Sequence, residues 1–528
     1  MSESQTKVCQ NCKGTFVIEP EEFAFYKKVQ VPPPTWCSQC RFMRRFSWRN
    51  ERALYKRKCD LCGEKTIAMY SPEKPYMVYC PDCFYSDKWD PLVYGRDYDF
   101  SKSFFLQFQE LQRTIPQLAL LQMNMVNSPW CNYEGDSKSC YLNFGGHQNE
   151  DSAYNQYGLK THETLDTYWF KNGDFGYETT FSENCYREFF SKLCYECQDT
   201  YFSFDCRNCS NIFGCSGLRN KKYHIFNKLV SKEEFEEFMR KNWNGSYASL
   251  RELEHQSLAS WRSWPQRATF VDRSVNSNGN LINECKNCTS CWLTDKTEDS
   301  RNMHFCLDVK DSQDITSVWG AELSYEVMGG VDGLARIKFS TGIIGGSNVE
   351  YSSLLFGSHN VFGCTNLRSK EYCILNKQYS KEEYFELMPK IREHMRTMPY
   401  IDTFGRTYAY GEYFPMDLSP FDYNETVAYE YFPFTKSDER VRGLRWNDSG
   451  GEQYAFSNYV VPDAITKVKD DIVEQVLKCE VSGKAYRIIP MELSFYRRFS
   501  LPIPRRAPFE RHRERLHFIA DHLSLHPR

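Results

Sequence analysis

The sequence has no long apolar run. No stretch of its 528 residues approaches the roughly 18 apolar residues that a membrane helix needs, so no membrane partner is expected. The opening MSESQTKVCQ carries no apolar core of the kind a secretory signal has. Histidine is scarce: there are 11, and the first is His147, which argues against a catalytic metal held by histidine near the N-terminus. No phosphate-cradling glycine loop, nucleophile-base pair or carboxylate dyad stands out. The expectation is a soluble, cytoplasmic protein that leans away from being an enzyme.

Net charge is small as well, at -3, but it is unevenly spread. Residues 1–60 hold twelve Lys/Arg against six Asp/Glu and residues 479–528 hold ten against five, which leaves the middle at -14. Two basic ends flank an acidic body. Cysteine, by contrast, is plentiful at 23, and the first eight come as four Cys-x-x-Cys pairs rather than at scattered disulfide spacings.

Cys9, Cys12, Cys37 and Cys40 form C-x2-C-x24-C-x2-C, and Cys59, Cys62, Cys80 and Cys83 form C-x2-C-x17-C-x2-C. Two knuckles of this spacing supply the four thiolates of a tetrahedral structural zinc, with no position left for water. Two zinc ions per chain are therefore expected, folding the modules rather than catalysing a reaction. The run CRFMRRFSWRNERALYKRKC that follows reads as one helix. Arg41, Arg45, Arg49, Arg52 and Lys56 recur at helical spacing on one face, beside aromatics such as Trp48. A basic stripe with aromatics suits phosphates and unstacked bases, so these six residues are the candidate nucleic-acid contacts. The bland alternative is a solvated helix face.

The first module resembles the treble-clef zinc-ribbon domain family through Cys9, Cys12, Phe16, Glu22, Phe25, Tyr26, Pro34, Cys37, Cys40 and Arg41. That resemblance implies a fold over about 40 residues and no activity. The segment from Cys479 aligns with the one from Cys9 at an offset of 470, with ten of 37 positions identical. Its ligand positions hold Cys479, Ser482, Ala507 and Glu510, so a degenerate treble clef without metal is expected there. Too small to stand alone, it should pack on another domain, its sister module being one candidate.

The acidic middle is also duplicated: residues 211–241 match 360–390 with 18 of 31 identical. Ser231 and Ser380 read as helix N-caps, each followed by acidic residues in the first turn. Upstream of each helix, aromatic and Cys-containing runs repeat loosely, with aromatic centres 12 to 18 residues apart. This suggests a β-solenoid closed by capping helices, with a β-sandwich as the alternative. Cys194, Cys197, Cys206 and Cys209, and Cys285, Cys288 and Cys291, read as inward-facing packing cysteines.

The chain thus reads as multidomain and β-rich. Its segments are 1–58 (treble clef), 59–95 (zinc ribbon), 96–130 (helical linker), 131–262 and 263–398 (two body halves), 399–478 (a wrapping segment ending in a helix) and 479–528 (the pseudo-finger). Through the order of two zinc modules, NERALYKRKCDLC, NSPWCNY, SPFDYNETVAYEYFP and the terminal FYRR module, the whole chain resembles zinc-ribbon proteins of candidate-phyla bacteria, some labelled CaiB/BaiF. That label implies a CoA transferase, whose large α/β fold does not match zinc knuckles and short strands. The leading functional reading is a non-enzymatic zinc protein that binds nucleic acid, RNA or the ribosome above all. A protein-interaction scaffold using the aromatic-rich body is second, and a carbohydrate-active enzyme on a solenoid third.

Overall fold

From Gln122 to Ile225 the backbone pairs in parallel with partners twelve positions away. Residues 3–448 and 455–523 are described by the structure, a computed structural model. Among them one compact unit takes in residues 3–119 and 268–448, and the other 120–267 and 455–521. Each unit therefore joins one terminal module to one half of the body.

In the second unit Tyr186, Gln198, Ser210 and Lys222 are successive partners in an eight-stranded sheet. One residue in three along this half has a left-handed backbone, Asp136, Ser139, Leu142, Gln148 and Asp151 among them. Such a conformation costs about 1–2 kcal/mol in a non-glycine residue. Here it aims each N–H back at a carbonyl thirteen residues earlier: Asp136 donates to the Met123 carbonyl and Gln148 to that of Gly135, both at 2.9 Å. Every third residue from Cys131 to Leu218 is buried without a break. Those positions are filled mainly by Cys, Ser, Thr, Asn and Gly. Turning the chain every three residues leaves a narrow interior that small side chains fill to native density.

The first unit carries a nine-stranded sheet of the same kind. His304 pairs with Thr316 and Thr316 with Met328. Its inward positions are more apolar, including Val309, Ile315, Val318, Val327, Ile343 and Val349. One extra residue enters between Val331 and Leu334, where the register moves from twelve to thirteen. Within both halves the pairings are parallel except for a closing hairpin at each end, Lys222–Ile225 with Lys228–Leu229 and Glu371–Ile374 with Lys377–Gln378. That pattern overturns the β-sandwich alternative, whose sheets are antiparallel.

Helices follow both hairpins where the sequence placed them. Ser231 and Ser380 accept from the N–H groups of Glu234 and Glu383, whose carboxylates return the bond. Two other helices are shorter or absent. Residues 96–130 include one helix, Phe104–Thr114, and parallel pairing already begins at Gln122. Residues 463–480, which read as an amphipathic helix leading into Cys479, form no continuous helix. They make two tight turns, Ile465–Lys467 and Asp470–Glu474, which bury Ile465, Val468 and Ile472. Packing of those side chains has overridden the helical pattern.

The pseudo-finger packs on the first body half. Leu493, Phe495, Tyr496, Leu501 and Ile503 share one core with Tyr154, Leu165, Tyr177 and Phe189. Within residues 399–448, Phe414 stacks on Phe108 and lies tilted against Trp48, and Tyr431 stacks on Phe46. No helix is long and apolar enough to cross a membrane, among the described residues.

Candidate metal centres and the arginine clamps beside them

Three hairpins of one design carry the knuckles. The Cys9, Cys59 and Cys479 N–H groups donate to the carbonyls of Gly14, Glu64 and Lys484 at 2.8–2.9 Å. The residue after each second ligand position, Lys13, Gly63 or Gly483, has φ between 61° and 77°. A left-handed residue there folds the knuckle back on itself, which glycine does at no steric cost. The second ligand pair of each complete set opens a helix: Cys37 caps Ser38–Phe46 and Cys80 caps Pro81–Phe84.

The four sulfurs of each set converge, all within 4.8 Å of one another. Zinc-sulfur bonds of about 2.3 Å in a tetrahedron put sulfurs about 3.8 Å apart. Cys12 and Cys37 are 3.8 Å apart, and Cys62 and Cys80 are 4.0 Å apart. Backbone donors already serve the thiolates, Cys37 N–H to Cys9 and Cys80 N–H to Cys59, each at 3.3 Å. Hydrogen bonds from Cys37 and Cys40 pull the Cys9 thiol far down, while the Cys37 and Cys9 sulfurs push Cys40 up. Burial works against ionising Cys59, yet the N–H groups of Cys62, Cys80 and Leu61 hold it at about 7. Four crowded sulfurs lose all their protons together only around a cation, so both sets fit a metal ion such as zinc. Among the described residues these two clusters are the ones that could hold a metal.

The pseudo-finger keeps the knuckle with one of the four ligands, Cys479. The thiol of Cys479 is buried, and although burial opposes it, the Ser482 hydroxyl and the N–H groups of Ala507, Ser482 and Val481 lower it. Glu510, at the fourth ligand position, is buried and paired with Arg513 at 2.8 Å.

The basic stripe is not on the surface. Its helix ends at Phe46, where Ser47 caps the Arg44 carbonyl and Asn50 closes a turn by accepting from the Ala53 N–H. The chain then enters the strand Tyr55–Lys58. Arg41 donates to Asp314 at 2.8 Å and to the Trp36 carbonyl at 2.6 Å. Arg45 reaches Thr316 at 3.1 Å and Glu326 at 3.3 Å. Arg44, which the stripe had omitted, bridges Glu326 and Glu412 at 2.8 and 2.6 Å. Arg49 pairs with Glu51, Arg52 with Glu430, and the Trp48 indole donates to the Pro415 carbonyl. Arg41, Arg44, Arg45, Arg49 and Trp48 are all buried. Of the six candidate nucleic-acid contacts, Lys56 alone is exposed. Helical spacing identified a shared face correctly for Arg41 and Arg45, but that face meets carboxylates of the body rather than solvent.

The pseudo-finger repeats the arrangement. Arg511 and Arg515, 470 positions after Arg41 and Arg45, meet Asp166 at 2.8 and 3.0 Å, and Arg515 meets Glu178 at 2.8 Å. Asp166 and Glu178 precede Asp314 and Glu326 by 148 positions, one fewer than the offset of the capping segments. The extra residue between Val331 and Leu334 accounts for the difference. Tyr26 and Tyr496 likewise meet Tyr325 and Tyr177, with ring centres 5.5 and 5.6 Å apart. Sequence reasoning missed the acidic partners Asp166, Glu178, Asp314 and Glu326. The signal available was their spacing of twelve within each pair, the step between paired strands. No protein-family model matches the chain, and no curated protein does.

Proposed function

We propose that this is a non-enzymatic zinc protein whose two metal centres are structural, and that it serves as a rigid scaffold. The N-terminal module is of treble-clef type, the body is a β-solenoid in two halves, and each half is clamped by a finger. The observation that carries this reading is the use of Arg41, Arg44 and Arg45 in buried carboxylate pairs beside the first metal centre. Zinc folds the module that delivers these arginines, so the metal secures the body as well as the finger. A set of four thiolates leaves no open coordination position, which supports a structural rather than a catalytic role. Nucleic-acid binding through the arginine face is not part of this reading, because desolvated, paired guanidinium groups have no surface to offer phosphate.

Hydrogen exchange before and after zinc is withdrawn with a chelator tests it. Loss of protection across the strands Gln313–Glu322 and Tyr325–Glu350, together with the finger, is the expected result. Protection there that survives metal loss would mean that the finger is an appendage.

A further inference from the structure

We propose that the hairpin of the second zinc module, Tyr55–Lys58 with Lys65–Ala68, is a contact surface for the phosphate backbone of a single-stranded nucleic acid, made by Lys56, Lys58 and Lys65. Lys58 stands directly opposite Lys65, and Lys56 opposite Ile67. Residues two apart on a strand point to the same side, so the three ammonium groups share one face. All three are exposed. Like charges directly opposite each other destabilise a strand pair, and no ion pair among the described residues relieves them. Among the described residues none of the three has an ion-pair partner.

The acids nearest in sequence do not compensate. Asp60 is occupied by Arg57 at 3.1 Å and by the Val78 N–H at 2.7 Å. Glu64 lies in the knuckle turn and is exposed. Tyr55 and Arg57 alternate to the other side of the strand, where Tyr55 engages Glu425 and Arg57 engages Asp60.

One internal comparison marks this hairpin out. In the two sister hairpins the position of Lys58, just before the first knuckle cysteine, faces an uncharged residue: Val8 is opposite Thr15 and Lys478 is opposite Ala485. An uncompensated row of charge held on a zinc-fixed strand, with lysines about 7 Å apart along it, suits a polyanion with regularly repeating charge. Neither strand places an aromatic residue on that face, where Ile67 is the fourth residue, so recognition is of charge and independent of base sequence.

The test uses the full chain loaded with zinc and a labelled 20-nucleotide single strand, followed by fluorescence anisotropy across a salt series. Three phosphate contacts give a log-log salt slope near -2, from about -0.7 per contact. The triple variant Lys56→Glu, Lys58→Glu, Lys65→Glu should bind at least about tenfold more weakly at low salt. A control with Lys138→Glu, Lys390→Glu and Lys436→Glu should bind like the parent. If the triple variant fails to fold, the neutral pair Lys58→Gln, Lys65→Gln should still lower the slope by about 1.4. Absence of salt-dependent binding by the parent would overturn the proposal, as would equal losses in the control. Competition by polyglutamate as effective as by the oligonucleotide would also overturn it and point to an acidic protein partner. None of these outcomes bears on the scaffold reading, which the exchange experiment decides separately.

Discussion

Arg41 donates to Asp314 across 2.8 Å with both side chains buried. A buried ion pair is weak evidence of net stability, but removing one partner strands the other charge and costs about 3–5 kcal/mol. Asp314→Ala should therefore destabilise the first unit by about that amount in denaturant unfolding. Asp166→Ala should act on the second unit in the same way, since Asp166 holds both Arg511 and Arg515. Losses under about 1 kcal/mol in both would show that the clamps contribute little.

The eight knuckle cysteines were legible because their chemistry fixes their spacing, and Ser231 and Ser380 because a capping box is local. The interior role of Cys194, Cys197, Cys206 and Cys209 was legible too, and all four are buried in one cluster. The register of twelve was obscured because the underlying period is three, neither the two of an ordinary strand nor the 3.6 of a helix. Small residues at Ser182, Cys185, Ser191, Cys194, Cys197, Thr200 and Ser203 carried that period in plain view. The arginine face was misplaced for a different reason: spacing tells which residues share a face, while what covers the face depends on contacts nearly 300 residues away in the chain.

Glu188 lies inside the second unit, where its carboxylate accepts from the Ser182 hydroxyl at 2.8 Å. Burial, only partly offset by Ser182 and Cys185, pushes it up to about 8. The folded state therefore holds a proton that the unfolded chain, with an ordinary carboxyl near 4.3, has released. Its contribution is fully present below about pH 4 and is lost as pH rises through about 8. Stability should fall between pH 5 and pH 9, and Glu188→Gln should flatten that fall by on the order of 3 kcal/mol. A parent and variant with parallel pH profiles of the denaturation midpoint would contradict the assignment.

Tyr496 joins the pseudo-finger to the first body half. Its hydroxyl donates to Glu492 at 3.0 Å and its ring packs against Tyr177. Truncating a large buried aromatic costs about 3–5 kcal/mol, so Tyr496→Ala should lower the melting temperature and increase binding of a hydrophobic dye. Deleting the chain from Cys479 onward should do the same more strongly. Melting like the parent after that deletion would make the pseudo-finger an independent appendage.

The most direct measurement is the metal content of the purified protein by elemental analysis, together with its single-cysteine variants. The account predicts two zinc ions per chain for the parent, one for Cys9→Ser or Cys59→Ser, and two for Cys479→Ser. Fewer than two in the parent with all eight knuckle thiols reduced, or loss of an ion in Cys479→Ser, would contradict it.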